Sequence, residues 1–75
     1  MNYYAVTYNV IKWEELVETK TVGIQSEKKL VIDTAGPILT NLLKMEDGST
    51  LAVTDKIDIG EIDYHRLPNQ YIDNT

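Results

Sequence analysis

The stretch YYAVTYNV at residues 3–10 limits the fold more than any other part of the chain. Tyr4, Val6, Tyr8 and Val10 fall on one face, and Tyr3, Ala5, Thr7 and Asn9 on the other. A period of two is what a strand shows when one face rests on a core, and β-branched and aromatic residues suit a pleated, half-buried surface. A first strand is therefore predicted from Tyr3 to Lys12. The alternation breaks at Val10 and Ile11, and Trp13 follows after one lysine. That break predicts a bend or bulge ahead of a turn at Glu14 and Glu15.

A second strand is predicted from Leu16 to Gln25. Its middle, ETKT, is polar on both faces, which fits an exposed or edge position where charge discourages unwanted pairing. After the polar turn SEKK, the short apolar run LVI reads as a brief buried strand from Lys29 to Asp33. In GPILTNLLKMEDG, Ile38, Leu39, Leu42, Leu43 and Met45 lie on one face of a helix. Pro37 would stand in its first turn and Gly48 could end it in a left-handed conformation. The same EDG followed by STLAVT also has the spacing of a hairpin loop. The length of the match and the scarcity of β-branched residues favour a helix near residues 37–46, with a strand following from Thr50 to Thr54.

Four carboxylates, Asp55, Asp58, Glu61 and Asp63, stand within TDKIDIGEIDYH. A calcium loop needs oxygen ligands at alternate positions, but from Asp55 onward Ile57, Ile59 and Arg66 occupy the places of three of them. Alternation explains the stretch better. Ile57 and Ile59 point one way, Ile62 and Tyr64 the other, and the apolar parity changes across Gly60 and Glu61. A glycine bulge would absorb such a slip, so Lys56 to Arg66 reads as one bent strand with its carboxylates in water. On that strand Glu61, Asp63 and His65 would share a face, a spacing that suits zinc or manganese only if another element supplied further ligands. No such element is evident, and no metal or other cofactor is expected.

The expected fold is mainly β (α+β): an antiparallel, strongly bent sheet or small open barrel of about five strands with one short helix. Residues 1–67 form the single domain, and residues 68–75 a polar tail that frays unless Tyr71 and Ile72 dock. Cysteine is absent, which excludes disulfides and thiolate metal sites. A chain of 75 residues buries only about 60% of its unfolded surface. With apolar residues on both faces near Val10, Ile11 and Trp13, a homo-oligomer is expected.

Function classes narrow by exclusion. The chain has 7 basic and 12 acidic residues, a net charge of −5, and its only adjacent basic pair is Lys28 and Lys29. Direct nucleic-acid binding needs clustered cations and is not expected. His65 is the sole histidine, Ser26 and Ser49 sit in polar turns, and Gly23, Gly36, Gly48 and Gly60 are scattered singly. No catalytic relay or phosphate loop is present in that pattern, so the chain is read as a non-enzyme. No apolar run reaches the roughly 18 residues of a membrane span, and the N-terminus lacks signal-peptide character, so no membrane association and a cytoplasmic location are expected.

Two readings follow. In the first, the chain is a small protein-binding or inhibitory module. Asp55, Asp58, Glu61 and Asp63, with Glu14, Glu15, Glu18, Glu46 and Asp47, face a partner protein with a basic surface, such as a nucleic-acid-binding enzyme. In the alternative, it is a self-assembling structural or small-ligand-sequestering β domain whose interface uses Tyr3, Tyr4 and Trp13.

Overall fold

A computed structural model describes residues 1–45 and 47–73 of the chain. Strands β1 (Asn2–Lys12) and β2 (Glu15–Ser26) form a long hairpin, followed by helix α1 (Ile32–Leu43), strand β3 (Ser49–Ile59), helix α2 (Glu61–Arg66) and strand β4 (Gln70–Asp73). The four strands make one open sheet in the order β3-β1-β2-β4. β1 runs antiparallel to both β2 and β3, while β4 is parallel to β2.

The hairpin follows from the alternation at its N-terminus. Tyr4, Val6 and Tyr8 are buried against Val22 and Ile24 of β2 and against Leu30, Ala35 and Leu39 beneath and within α1. The other face is held by side-chain hydrogen bonds, Thr7 with Thr21 at 2.9 Å and Thr19 to Asn9 at 2.7 Å. The expected break at Val10 and Ile11 is a register shift in the β1–β2 ladder.

Because β1 is antiparallel to its two neighbours, β2, β3 and β4 all run the same way. Each helix is then a crossover between parallel strands: α1 carries the chain from β2 over to β3, and α2 carries it back to β4. Crossovers of one hand that travel in opposite directions must lie on opposite faces of the sheet. Accordingly α1 covers the Tyr4 face, while Tyr64 of α2 packs against Tyr3 of the other, the rings tilted by 52° with 5.1 Å between their centroids.

Four expectations need correction. The sheet has four strands, open and mixed, in place of an antiparallel, bent sheet or barrel of about five. The segment from Lys29 to Asp33 is no strand, since only Leu30 is buried and α1 has begun by Ile32. The helix expected near residues 37–46 starts earlier and ends at Leu43, where Lys44 takes the left-handed conformation at φ 50° in place of Gly48. Gly48, at φ 80°, instead turns the chain into β3.

The fourth concerns Lys56 to Arg66. β3 is a single strand across the predicted Thr50–Thr54 segment, with its ladder shifted between Thr7 and Tyr8, and it stops at Ile59. Gly60 then stands at the N-cap of α2. The change of apolar parity across Gly60 marks this switch from a strand period to a helix turn. Glu61 and Asp63 in the first turn, with His65 and Arg66 in the last, complement the helix dipole.

Within the segment read as a polar tail, Gln70–Asp73 form β4. Tyr71 packs against the core, and Ser26 donates to the Asp73 carboxylate at 3.3 Å. The Gln70 side-chain amide donates to the carbonyls of His65 and Leu67, at 2.9 and 2.8 Å, and so closes the end of α2.

Pro37 lies inside α1, where it removes the N–H that would bond to the Asp33 carbonyl and crowds the preceding turn, at a cost of about 3 kcal/mol in a regular helix. Pro37→Ala should therefore raise stability by about 2 kcal/mol after the greater freedom of the unfolded chain is counted. A thermal melt would show it as a midpoint higher by roughly 8–16 °C. An unchanged or lower midpoint would mean that the ring itself holds α1 against β3.

Candidate interaction surfaces

The tip of the β1–β2 hairpin is a two-residue turn, with Lys12 paired to Glu15. Turns of this length match the strand twist when both central residues have positive φ, which favours Asn and Gly. Here the two are Trp13 at φ 53° and Glu14 at φ 67°. Conformations of this kind cost about 1–3 kcal/mol per non-glycine residue. The Trp13 indole lies over Gly48, so close that a Cβ at that position would come within 2.8 Å of the ring. The backbone N–H of Trp13 also donates to the Gly48 carbonyl at 3.4 Å.

One side of the indole is thus packed, yet Trp13 remains 74% exposed, beside Leu16 at 63% and Val17 at 59%. Glu14, Glu15 and Glu18 are exposed around them. Glu18 is engaged by Lys20 at 3.2 Å, an exposed pair that contributes little to stability.

Asp55, Asp58, Glu61 and Asp63 are all exposed, but they do not form one surface. Asp55 pairs with Thr7 and Asp58 with Tyr4, so the two side chains leave the sheet on opposite faces. Lys56 holds the Asp58 carboxylate at 3.3 Å and stands 4.8 Å over the Tyr4 ring. Glu61 and Asp63 belong to α2, where about 100° per residue turns Asp63 away from the side that Glu61 shares with His65, 3.8 Å apart. The three-residue strand face that suggested a metal is therefore a helix turn. Among the described residues no group of three metal-ligating side chains comes together. Asp47 is exposed, and Glu46 lies outside the described residues.

The three residues expected at a subunit interface also separate. Tyr4 is a core residue, 2% exposed, whose hydroxyl accepts a hydrogen bond from the Leu30 N–H at 3.0 Å. Tyr3 is half-buried beneath Tyr64. Trp13 alone presents most of its ring to solvent.

A second feature escaped the sequence reading. Between the end of α1 and the β1–β2 hairpin lies a cleft of about 410 Å³, lined by Tyr8, Val10, Val17, Leu43 and Met45, with Lys12, Lys20, Lys44 and the carboxylate of Glu18 around them. It joins residues 8–20 to residues 43–49, so no local motif announces it. Burial pushes the Tyr8 hydroxyl above its ordinary pKa, and the nearby Lys20 charge opposes that rise.

Among the described residues no helix is long and apolar enough to cross a membrane. No known protein family, curated protein or solved structure matches this chain.

Proposed function

We propose that this domain works by binding another protein, and that the hairpin tip is its principal contact. The observation that carries this reading is that the hairpin end exposes three large apolar side chains, Trp13, Leu16 and Val17, together with the exposed Glu14, Glu15 and Glu18 of the same segment. An aromatic anchor within a polar rim is the arrangement in which a few residues supply most of the binding energy. The strained turn supports it as well, because Trp and Glu stand where Asn and Gly would be more stable, and local strain of this kind gathers at functional sites.

The carboxylate rim suits a partner with a basic surface, such as a nucleic-acid-binding enzyme, since complementary fields speed association and select the partner. Asp55, Asp58, Glu61 and Asp63 add to the long-range field from both faces of the sheet without forming a contact surface of their own. The module needs no chemistry of its own and acts by occupying its partner.

The double change Trp13→Asn, Glu14→Gly separates fold from function. It relieves two left-handed residues and loses the indole packing on Gly48, so a net gain of about 1 kcal/mol, or 4–8 °C in melting midpoint, is expected. The same change should abolish capture of the partner by photo-crosslinking in cell extract, and raised salt should weaken capture by the unaltered protein. If both proteins capture the same basic partner equally, the tip is not the contact. If light scattering at two concentrations shows the unaltered protein associating with itself, and the double change makes it monomeric, the self-assembly reading takes its place.

A further inference from the structure

The cleft beside β2 combines three features that suit a ligand. The first is an open edge. β2 has β4 beside it only from Gly23 to Ser26, and among the described residues no strand adjoins its outer side from Glu15 to Val22. The Gly23 N–H points outward, to the Asn69 carbonyl at 2.8 Å. Strand alternation extends that outward orientation to Thr21 and Thr19, whose backbone groups are ready to pair with an added strand.

The second feature is Tyr8. The residue is only 3% exposed, with its hydroxyl open to the cleft and able to donate to a group bound there. The hydroxyl is not sealed within the protein, because the ring lines the cleft. The third is charge. Lys20 and Lys44 stand at the same cleft with, among the described residues, a single carboxylate, Glu18, which engages Lys20 at 3.2 Å, so Lys44 gives the site a cation beyond that pair in a chain whose net charge is −5.

The geometry points to a binding site for an extended, acidic peptide segment that adds to the β2 edge at Thr19 and Thr21 and seats a carboxylate side chain against Tyr8, Lys20 and Lys44. Strand addition explains why an open edge and a side-chain cleft occur together: the edge binds any backbone, and alternate side chains of the added strand point into the cleft. Val10, Val17 and Leu43 give its neighbouring side chains an apolar wall. The site adjoins the hairpin tip, since Val17 and Glu18 also line the cleft, but it uses the β2 edge and selects the opposite sign of charge, so it adds a second binding activity to the one proposed above.

The probe is the acetylated, amidated hexapeptide Val-Thr-Asp-Thr-Val-Thr, whose Val and Asp side chains share one face of a strand, with Val-Thr-Lys-Thr-Val-Thr as its counterpart, titrated into the ¹⁵N-labelled full chain. The acidic peptide should give saturable shifts centred on the Thr19 and Thr21 amides and should slow their hydrogen exchange, whereas the basic peptide should not bind. Tyr8→Phe keeps the ring in the core and should weaken binding about fivefold, the worth of one hydrogen bond. The exposed double change Lys20→Gln, Lys44→Gln should weaken it roughly five- to tenfold. Absence of saturation at millimolar peptide, equal binding of the basic peptide, or indifference to both variants would each overturn the proposal. So would saturable binding of decanoate that leaves Thr19 and Thr21 exchange unchanged, because the cleft would then be a site for anionic amphiphiles.

Discussion

Gly23→Val is expected to lower the melting midpoint by roughly 10–20 °C, a loss of about 2–3 kcal/mol from overpacking in a domain of this size. Gly23 is buried where β2 begins to pair with β4, and a Cβ there would stand 2.8 Å and 2.9 Å from two carbons of the Tyr64 ring and 3.2 Å from Leu67. The ring has nowhere to retreat. Its far end donates from the hydroxyl to the Tyr71 carbonyl at 2.9 Å, and its face meets Tyr3. Any shift of the ring therefore moves both α2 and β4. Valine favours strands, but that preference spans only about 1 kcal/mol and cannot offset the clash. Hydrogen exchange would localise the damage, with the β4 amides losing protection before those of β1. A variant that melts like the parent would show that α2 does not rest on Gly23.

Leu39→Ala should cost about 2–5 kcal/mol, because truncating a buried leucine loses both its transfer energy and the packing around the cavity left behind. Leu39 and Ala35 are each 0% exposed, one helical turn apart, and carry the contact of α1 with Tyr4, Val6 and Tyr8. At about 0.05–0.15 kcal/mol per residue, the whole domain has only about 4–11 kcal/mol of stability. One substitution thus removes a large share of it. In a urea titration the midpoint should fall with the slope unchanged. Ile62→Ala provides the contrast: Ile62 is 71% exposed, and its loss should change stability by no more than about 0.5 kcal/mol. If Leu39→Ala behaved like Ile62→Ala, α1 would not be the cover of the core.

Much of the hairpin was legible because its signal is local. Tyr4, Val6 and Tyr8 repeat at the strand period and are the residues that β1 buries. The apolar stripe through Leu39 likewise revealed α1. What could not be read was how far each element ran. Lys29 to Asp33 resembled a strand because three apolar residues in a row fit either period, and only the need to cross from β2 to β3 turned its end into a helix. Past Gly60, Ile62 and Tyr64 kept a spacing of two. A six-residue helix is too short to display its own period, and Tyr64 is buried by the ring of Tyr3 and the bare backbone of Gly23, both distant in sequence.

The candidate surfaces divide in the same way. That Trp13 would stand outside the core, as an interface residue must, was readable, because a large aromatic beside two glutamates at a break in alternation has no obvious place in a core. That Tyr4 would not serve there was not readable, since it differs from Tyr3 only in which face of β1 received the helix. Taken singly, the carboxylates at 55, 58, 61 and 63 were correctly placed in water, but their grouping was lost once β3 sent Asp55 and Asp58 to opposite faces and α2 rotated Asp63 away from Glu61.

The sequence by itself determined a small, acidic, cysteine-free domain built on an amphipathic hairpin with a helix after it, because composition and periodicity act over a few residues. Only the tertiary structure decided the strand order, the parallel β4, the opposite placement of the two helices, and the cleft that joins Tyr8, Lys20 and Lys44. Those depend on which distant faces bury one another and on the shared handedness of the two crossovers, and neither leaves a mark in a local stretch of sequence.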